Sequence, residues 1–161
     1  MLVQPPIEPA ECGGFDVHLS DGERDALRSL PDQLRAVLGT EDPVLGRLFP
    51  DAYPDDPELN EEFDQLVHDD LMEERLRRIQ TFAETLDAEH LTAEELLAWM
   101  GVLNDARLIL GTNLSVTEET DVWSVSDEDP QAPAYAFYGF LGWLEEYVVE
   151  VLSTGLGKEQ A

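Results

Sequence analysis

Leu91-Thr-Ala-Glu-Glu-Leu-Leu-Ala-Trp-Met-Gly-Val-Leu-Asn-Asp-Ala-Arg-Leu-Ile-Leu-Gly111 is the stretch that decides the fold. Thr92 and Glu95 make a capping box, Leu91 and Leu96 a hydrophobic staple, and Gly111 is a stop signal, so one helix fills the segment. Its main stripe is Leu96, Trp99, Leu103, Ala106 and Leu110, and a second row adds Leu97, Asn104 and Leu108. An apolar sector this wide belongs to a helix packed on more than one side. The segment therefore reads as the centre of a helical bundle.

The flanking segments supply the partners. Phe137, Leu141, Leu144, Val148 and Val151 repeat at helical spacing across about Pro133 to Leu152. A row of small residues, Ala136, Gly139 and Gly142, lets another helix approach closely, for packing or, less commonly, as a groove for a ligand or partner. Pro57 opens a long helix to about Leu86. Its stripe changes register at Asp69-Asp70, from Leu59, Phe63 and Leu66 to Met72, Ile79 and Leu86, which predicts a bend or two helices meeting there. Ser20 and Glu23 cap a helix carrying Leu27, Leu30, Leu34 and Val37, which Pro31 must kink or split. Between them, residues 40–57 mix four prolines with Leu45, Leu48, Phe49 and Tyr53, the composition of an ordered loop packed on its neighbours. Alternation at Phe15, Val17 and Leu19 predicts a short strand over 15–19, and Val122, Trp123 and Val125 a second over 121–125. The expectation is a mainly α, single-domain bundle of about five helices with one or two short strands. It spans residues 14–153, between flexible tails at 1–13 and 154–161.

Asp and Glu number 36 against 9 Lys and Arg, a formal charge of −27. Phosphate backbones and anionic lipids are repelled by such a surface, which disfavours direct nucleic-acid or membrane binding, while a cationic protein surface is attracted. Solubility alone is the other reading of the same charge. The apolar run from Ala134 to Leu152 is interrupted by Glu145, Glu146 and Glu150 and reads as a core helix. Residues 1–13 carry prolines and carboxylates where a secretory signal needs a basic end and an apolar run, so a cytoplasmic location is expected.

No catalytic constellation emerges, and no cofactor is implied. His68 with Asp69, Asp70, Glu73 and Glu74 is the nearest approach to a metal cluster, but it lacks a second histidine and reads better as a solvated face. Neither a spaced calcium loop nor a phosphate-cradling glycine loop occurs. Asn104, Asp105 and Arg107 form a polar insertion in the central helix. If buried, Arg107 needs a carboxylate, and Asp69 or Asp70 is the candidate partner, most simply in a structural ion pair. Cys12, the only cysteine, is a candidate redox position, although the negative charge of Glu8 and Glu11 opposes a reactive thiolate.

Three segments carry a resemblance: Arg47-Leu-Phe-Pro-Asp-Ala-Tyr-Pro-Asp-Asp56, Leu103-Asn-Asp-Ala-Arg-Leu-Ile-Leu-Gly-Thr-Asn-Leu-Ser-Val-Thr117 and Tyr138-Gly-Phe-Leu-Gly-Trp-Leu-Glu-Glu146. Together they resemble an actinobacterial family of unknown function commonly encoded beside the protease adaptor ClpS. The resemblance implies a cytoplasmic regulator tied to oxidative-stress transcription through a protein partner, and it brings no catalytic residues. A thiol switch between two cysteines of one chain cannot operate with Cys12 alone. The function expected is regulation by binding a basic protein surface, on a sigma factor or a proteolytic adaptor. A carboxylate-based metalloenzyme and an acidic mimic of nucleic acid are the competing classes.

Overall fold

The computed structural model describes residues 3–40 and 43–159, the side chains of residues 47 and 156–159 excepted. Strands β1 (Ile7–Pro9), β2 (Phe15–Val17) and β3 (His90–Leu91) form an antiparallel sheet in the order β1-β2-β3. The helices are α1 (Asp21–Leu27), α2 (Leu30–Leu38), α3 (Leu45–Leu48), α4 (Pro57–Thr85), α5 (Ala93–Asn113) and α6 (Ala132–Glu159), with a 3-10 turn at Val122–Ser124. The domain is mainly α, as the periodicity predicts.

α5 is the central wall. Leu96, Trp99, Val102, Leu103, Ala106 and Ile109 are all buried, which covers most of the main stripe, whereas in the second row Leu97 and Asn104 are exposed and Leu108 is half-buried. On one side lie Ile79 and Phe82 of α4, and on the other Leu141, Leu144 and Val148 of α6. Trp99 shows how a large aromatic is accommodated in such a core. Its ring centroid lies 4.9 Å from that of Phe82, and Nε1–H donates to Thr85 Oγ1 at 2.7 Å. The Thr85 hydroxyl donates onward to the Thr81 carbonyl at 2.7 Å, so the Trp99 indole and the Thr85 hydroxyl are both satisfied.

The predicted tail at residues 1–13 gives way to structure at β1. Ile7 pairs with Val17, and Ile7, Phe15, Val17 and Leu91 point together into the core. Too short for its alternation to be read, β1 is a strand because β2 offers it an edge and the core accepts Ile7. The turn between them depends on Gly13 and Gly14, whose φ values of +94° and +70° favour glycine. Gly14 is also crowded, since a Cβ there would lie 2.6 Å from His90 Nε2 and 2.7 Å from the Leu91 carbonyl oxygen.

Four further expectations change. α4 runs unbroken through Asp69-Asp70, because its two stripes face different partners along one helix: the residue 49–53 loop first, the core later. Residues 122–124 form the 3-10 turn and no strand, closed by Asp121, which accepts from Trp123 N–H at 3.0 Å and from the Ser124 hydroxyl. α5 continues two residues beyond Gly111, and α6 continues past residue 153 to Glu159, across most of the second predicted tail. Residues 1–2 and 160–161 of the tails, and 41–42 of the loop, lie outside the described residues. Pro31 does split the first helical segment, into α1 and α2.

Gly14→Ala should destabilise the domain by about 1–3 kcal/mol, combining left-handed strain with the clash against β3. Gly13→Ala, with nothing within 4 Å of its Cβ position, should cost less. Chemical denaturation of the two variants checks the order.

Candidate docking surface

Seven arginine side chains are described, and each has partners. The guanidinium of Arg24, only 8 % exposed, donates to the carbonyls of Leu86 at 2.6 Å, Ala88 at 3.0 Å and Leu19 at 3.3 Å. This places a cation at the negative end of the α4 dipole and satisfies carbonyls that the helix leaves open. Arg28 forks onto Asp87 with bonds of 2.9 and 3.1 Å. The hydrogen bond between them raises the guanidinium pKa and lowers that of the carboxyl. Arg35 reaches Gln80 at 2.9 Å and Asp32 at 3.4 Å, while Arg77 and Arg78 turn to Glu74 at 2.7 and 3.4 Å.

The polar insertion of α5 divides into two separate pairs. Asp105 binds Arg75 of α4, whose guanidinium also donates to the Leu48 carbonyl and lies 4.8 Å above the Phe49 ring. Arg107 binds Glu145 of α6 at 2.7 Å, with its guanidinium 5.5 Å from the Tyr138 ring centre. Burial opposes the charge on Arg107, but the Glu145 and Tyr138 interactions outweigh it and leave the pKa raised. Asp69 and Asp70, the predicted partners of Arg107, are exposed on α4, and Asn104 is exposed on α5, so neither aspartate nor asparagine belongs to a buried network. The pairing went to Glu145 because the chain brings α6, not the middle of α4, against the Arg107 side of α5.

His68 lies against Phe49 at 5.2 Å between ring centroids. Among the described residues no three His, Cys, Asp or Glu side chains gather where they could hold a metal ion. Cys12 is exposed in the turn joining β1 to β2. Among the same residues no helix is long and apolar enough to cross a membrane.

Among the described residues, no arginine forms an ion pair with the first half of α4. From Phe49 to Glu73 the sequence holds six Asp and four Glu and neither Lys nor Arg. No residue from Pro57 to Arg78 is buried. Yet Leu59, Phe63 and Leu66 share one face at helical spacing and remain 41, 38 and 79 % exposed. Asp70 and Glu73 continue that face at the next helical positions. Tyr53 meets Phe63 edge-on at 5.8 Å, and the Asn60 amide bridges Asp51 and the Tyr53 N–H, so the residue 49–53 loop braces the arm's base. The spacing of Leu59, Phe63 and Leu66 is legible in the sequence, but spacing alone does not separate a solvent-facing row from a buried one. The signal that could have separated them is the density of carboxylates around the row.

Fold and surface define a mainly α domain with a small antiparallel sheet and an acidic, partly apolar helical arm. A family model, "Domain of unknown function (DUF2017)", matches residues 6–152, and the chain belongs to this family. No curated protein and no solved structure matches it.

Asp105→Leu should cost about 3–5 kcal/mol by stranding the Arg75 guanidinium, whereas Asp70→Asn should change stability by less than about 0.5 kcal/mol. Denaturation midpoints of the two variants test the assignment. The bonds from Ser124 and Trp123 lower the Asp121 pKa. A carboxyl whose folded pKa is depressed contributes above its unfolded value and loses that contribution as pH falls through the folded one. The Trp123 indole resonance should therefore hold its position down through the ordinary carboxylate range and shift only below it.

Proposed function

We propose that the protein is a non-enzymatic regulator in the cytoplasm that acts by docking on a basic protein surface through the first half of α4. The observation that carries this reading is the row Leu59, Phe63 and Leu66, left in solvent within a segment that contains carboxylates and no cation. Apolar side chains on a helix face supply area to bury, worth roughly 25 cal/mol per Å². The carboxylates around them select what can approach. An amphipathic or grooved partner edged with Lys and Arg satisfies both, whereas a second copy of this chain would bring like charge against like. Electrostatic steering would make association fast and salt-sensitive.

The partner class is a sigma factor or a proteolytic adaptor, and the setting is oxidative-stress transcription. The resemblance to an actinobacterial family encoded beside ClpS supports that setting, and the net charge supports a protein contact in place of DNA. Cys12, exposed and alone, is the one position at which a thiol could report oxidation, by joining to another molecule.

Capture of binding partners with the wild-type chain and with Leu59→Ala/Phe63→Ala/Leu66→Ala side by side tests the reading. The expected result is a basic protein retained by the wild type at low salt, released at high salt and lost with the variant. Retention of the same proteins by both forms, or of none by either, would contradict it.

A further inference from the structure

The Arg107 pair sits at one end of a groove that extends past it along α6. The groove, of about 950 Å³, runs between α6 and the 3-10 turn and is lined by Tyr138, Trp143, Glu146, Tyr147 and Glu150, with Trp123 as its far wall. Trp123 is 72 % exposed and rests on Gly139, where a Cβ would meet its ring at 2.8 Å. In the inner half Arg107 passes over Gly142, faces Tyr138 and binds Glu145. One guanidinium is thus held by an aromatic face, a carboxylate and a glycine floor.

The outer half repeats the aromatic and acidic parts. Trp143, Glu146, Tyr147 and Glu150 stand at positions i, i+3, i+4 and i+7 of α6 and so share one face. The Trp143 and Tyr147 rings meet edge-on with centroids 5.5 Å apart. Among the described residues neither Glu146 nor Glu150 has an ion-pair partner. Four residues apart on a helix, they repel each other. A cation placed between them relieves that repulsion and gains attraction to the ring faces.

We infer that this half-groove receives an arginine side chain from a partner protein. A guanidinium is planar, stacks on aromatic rings and forks onto carboxylates, and its hydration is weaker than that of an ammonium, so arginine fits better than lysine. The inference stands apart from the α4 reading, because it rests on a different helix and would hold if the arm bound nothing.

The test is a titration of the full chain with Nα-acetyl-arginine amide, followed by amide and indole resonances. Saturable shifts confined to residues 143–150 and the Trp143 and Trp123 indoles are expected. Nα-acetyl-citrulline amide, which lacks the charge, should produce none, and the lysine analogue should bind more weakly. Glu146→Gln/Glu150→Gln should weaken the arginine response about fivefold or more, since it removes both carboxylates. That variant should keep its fold, because it lowers helix repulsion, and Trp143→Leu gives an independent loss of the ring. Shifts scattered over the acidic surface without saturation, or an unchanged response in both variants, would overturn the inference. Saturable arginine binding combined with no salt-sensitive capture by α4 would leave the groove standing and remove the arm's role. The reverse pattern would do the opposite.

Discussion

Scarcity of cations governs this molecule. Nine Lys and Arg must serve a chain with 36 carboxylates, so wherever the fold commits an arginine it leaves negative charge uncompensated elsewhere. Five of the described arginines connect separate elements. Arg24 and Arg28 tie α1 to the end of α4, Arg35 ties α2 to α4, Arg75 ties α4 to α5, and Arg107 ties α5 to α6. The bundle is stitched at the crossings of its helices, and among the described residues no arginine pairs with the first half of α4. Its acidity follows from where the arginines went.

The two carboxylates buried among the described residues, Asp105 and Glu145, fit the same scheme. Each faces an arginine across a helix interface. A pair of this kind adds little net stability compared with apolar packing, but breaking it is costly, so it fixes which surfaces meet. Because Asp105 and Arg107 project from α5 toward different neighbours, the central helix is keyed on both sides. Trp99 and its bond to Thr85 key it a third time. With the core keyed in this way, the exposed apolar and aromatic side chains lie at its edges, on the first half of α4 and along the outer half of the α6 groove.

Much of this architecture was legible in the residues. Capping boxes at Ser20 and Thr92 set two helix starts where the structure has them, because such signals are local. The wide apolar sector of α5 announced its central place. What failed depended on long-range partners. A three-residue strand such as β1 has no periodicity to read, and exists only because the edge of β2 receives it. Val122, Trp123 and Val125 resemble a strand by composition, but the Asp121 side chain closes a turn there first. The stripe change at Asp69-Asp70 signals a change of neighbour along one continuous helix. Arg24 escaped notice because its acceptors are backbone carbonyls, which carry no sequence identity. The choice of Glu145 over Asp69 or Asp70 as the partner of Arg107 required knowing which helix crosses α5 at that level.

The account reduces to a division of α4 into a half that is held and a half that waits. Amide hydrogen exchange, compared between the free protein and its complex with a captured basic partner, tests this most directly. The account predicts that residues 60–74 exchange rapidly in the free chain while residues 79–85 and 96–109 are protected, and that binding slows exchange across residues 60–74. Strong protection of residues 60–74 before any partner is added, or slowing that appears only outside them, would contradict it.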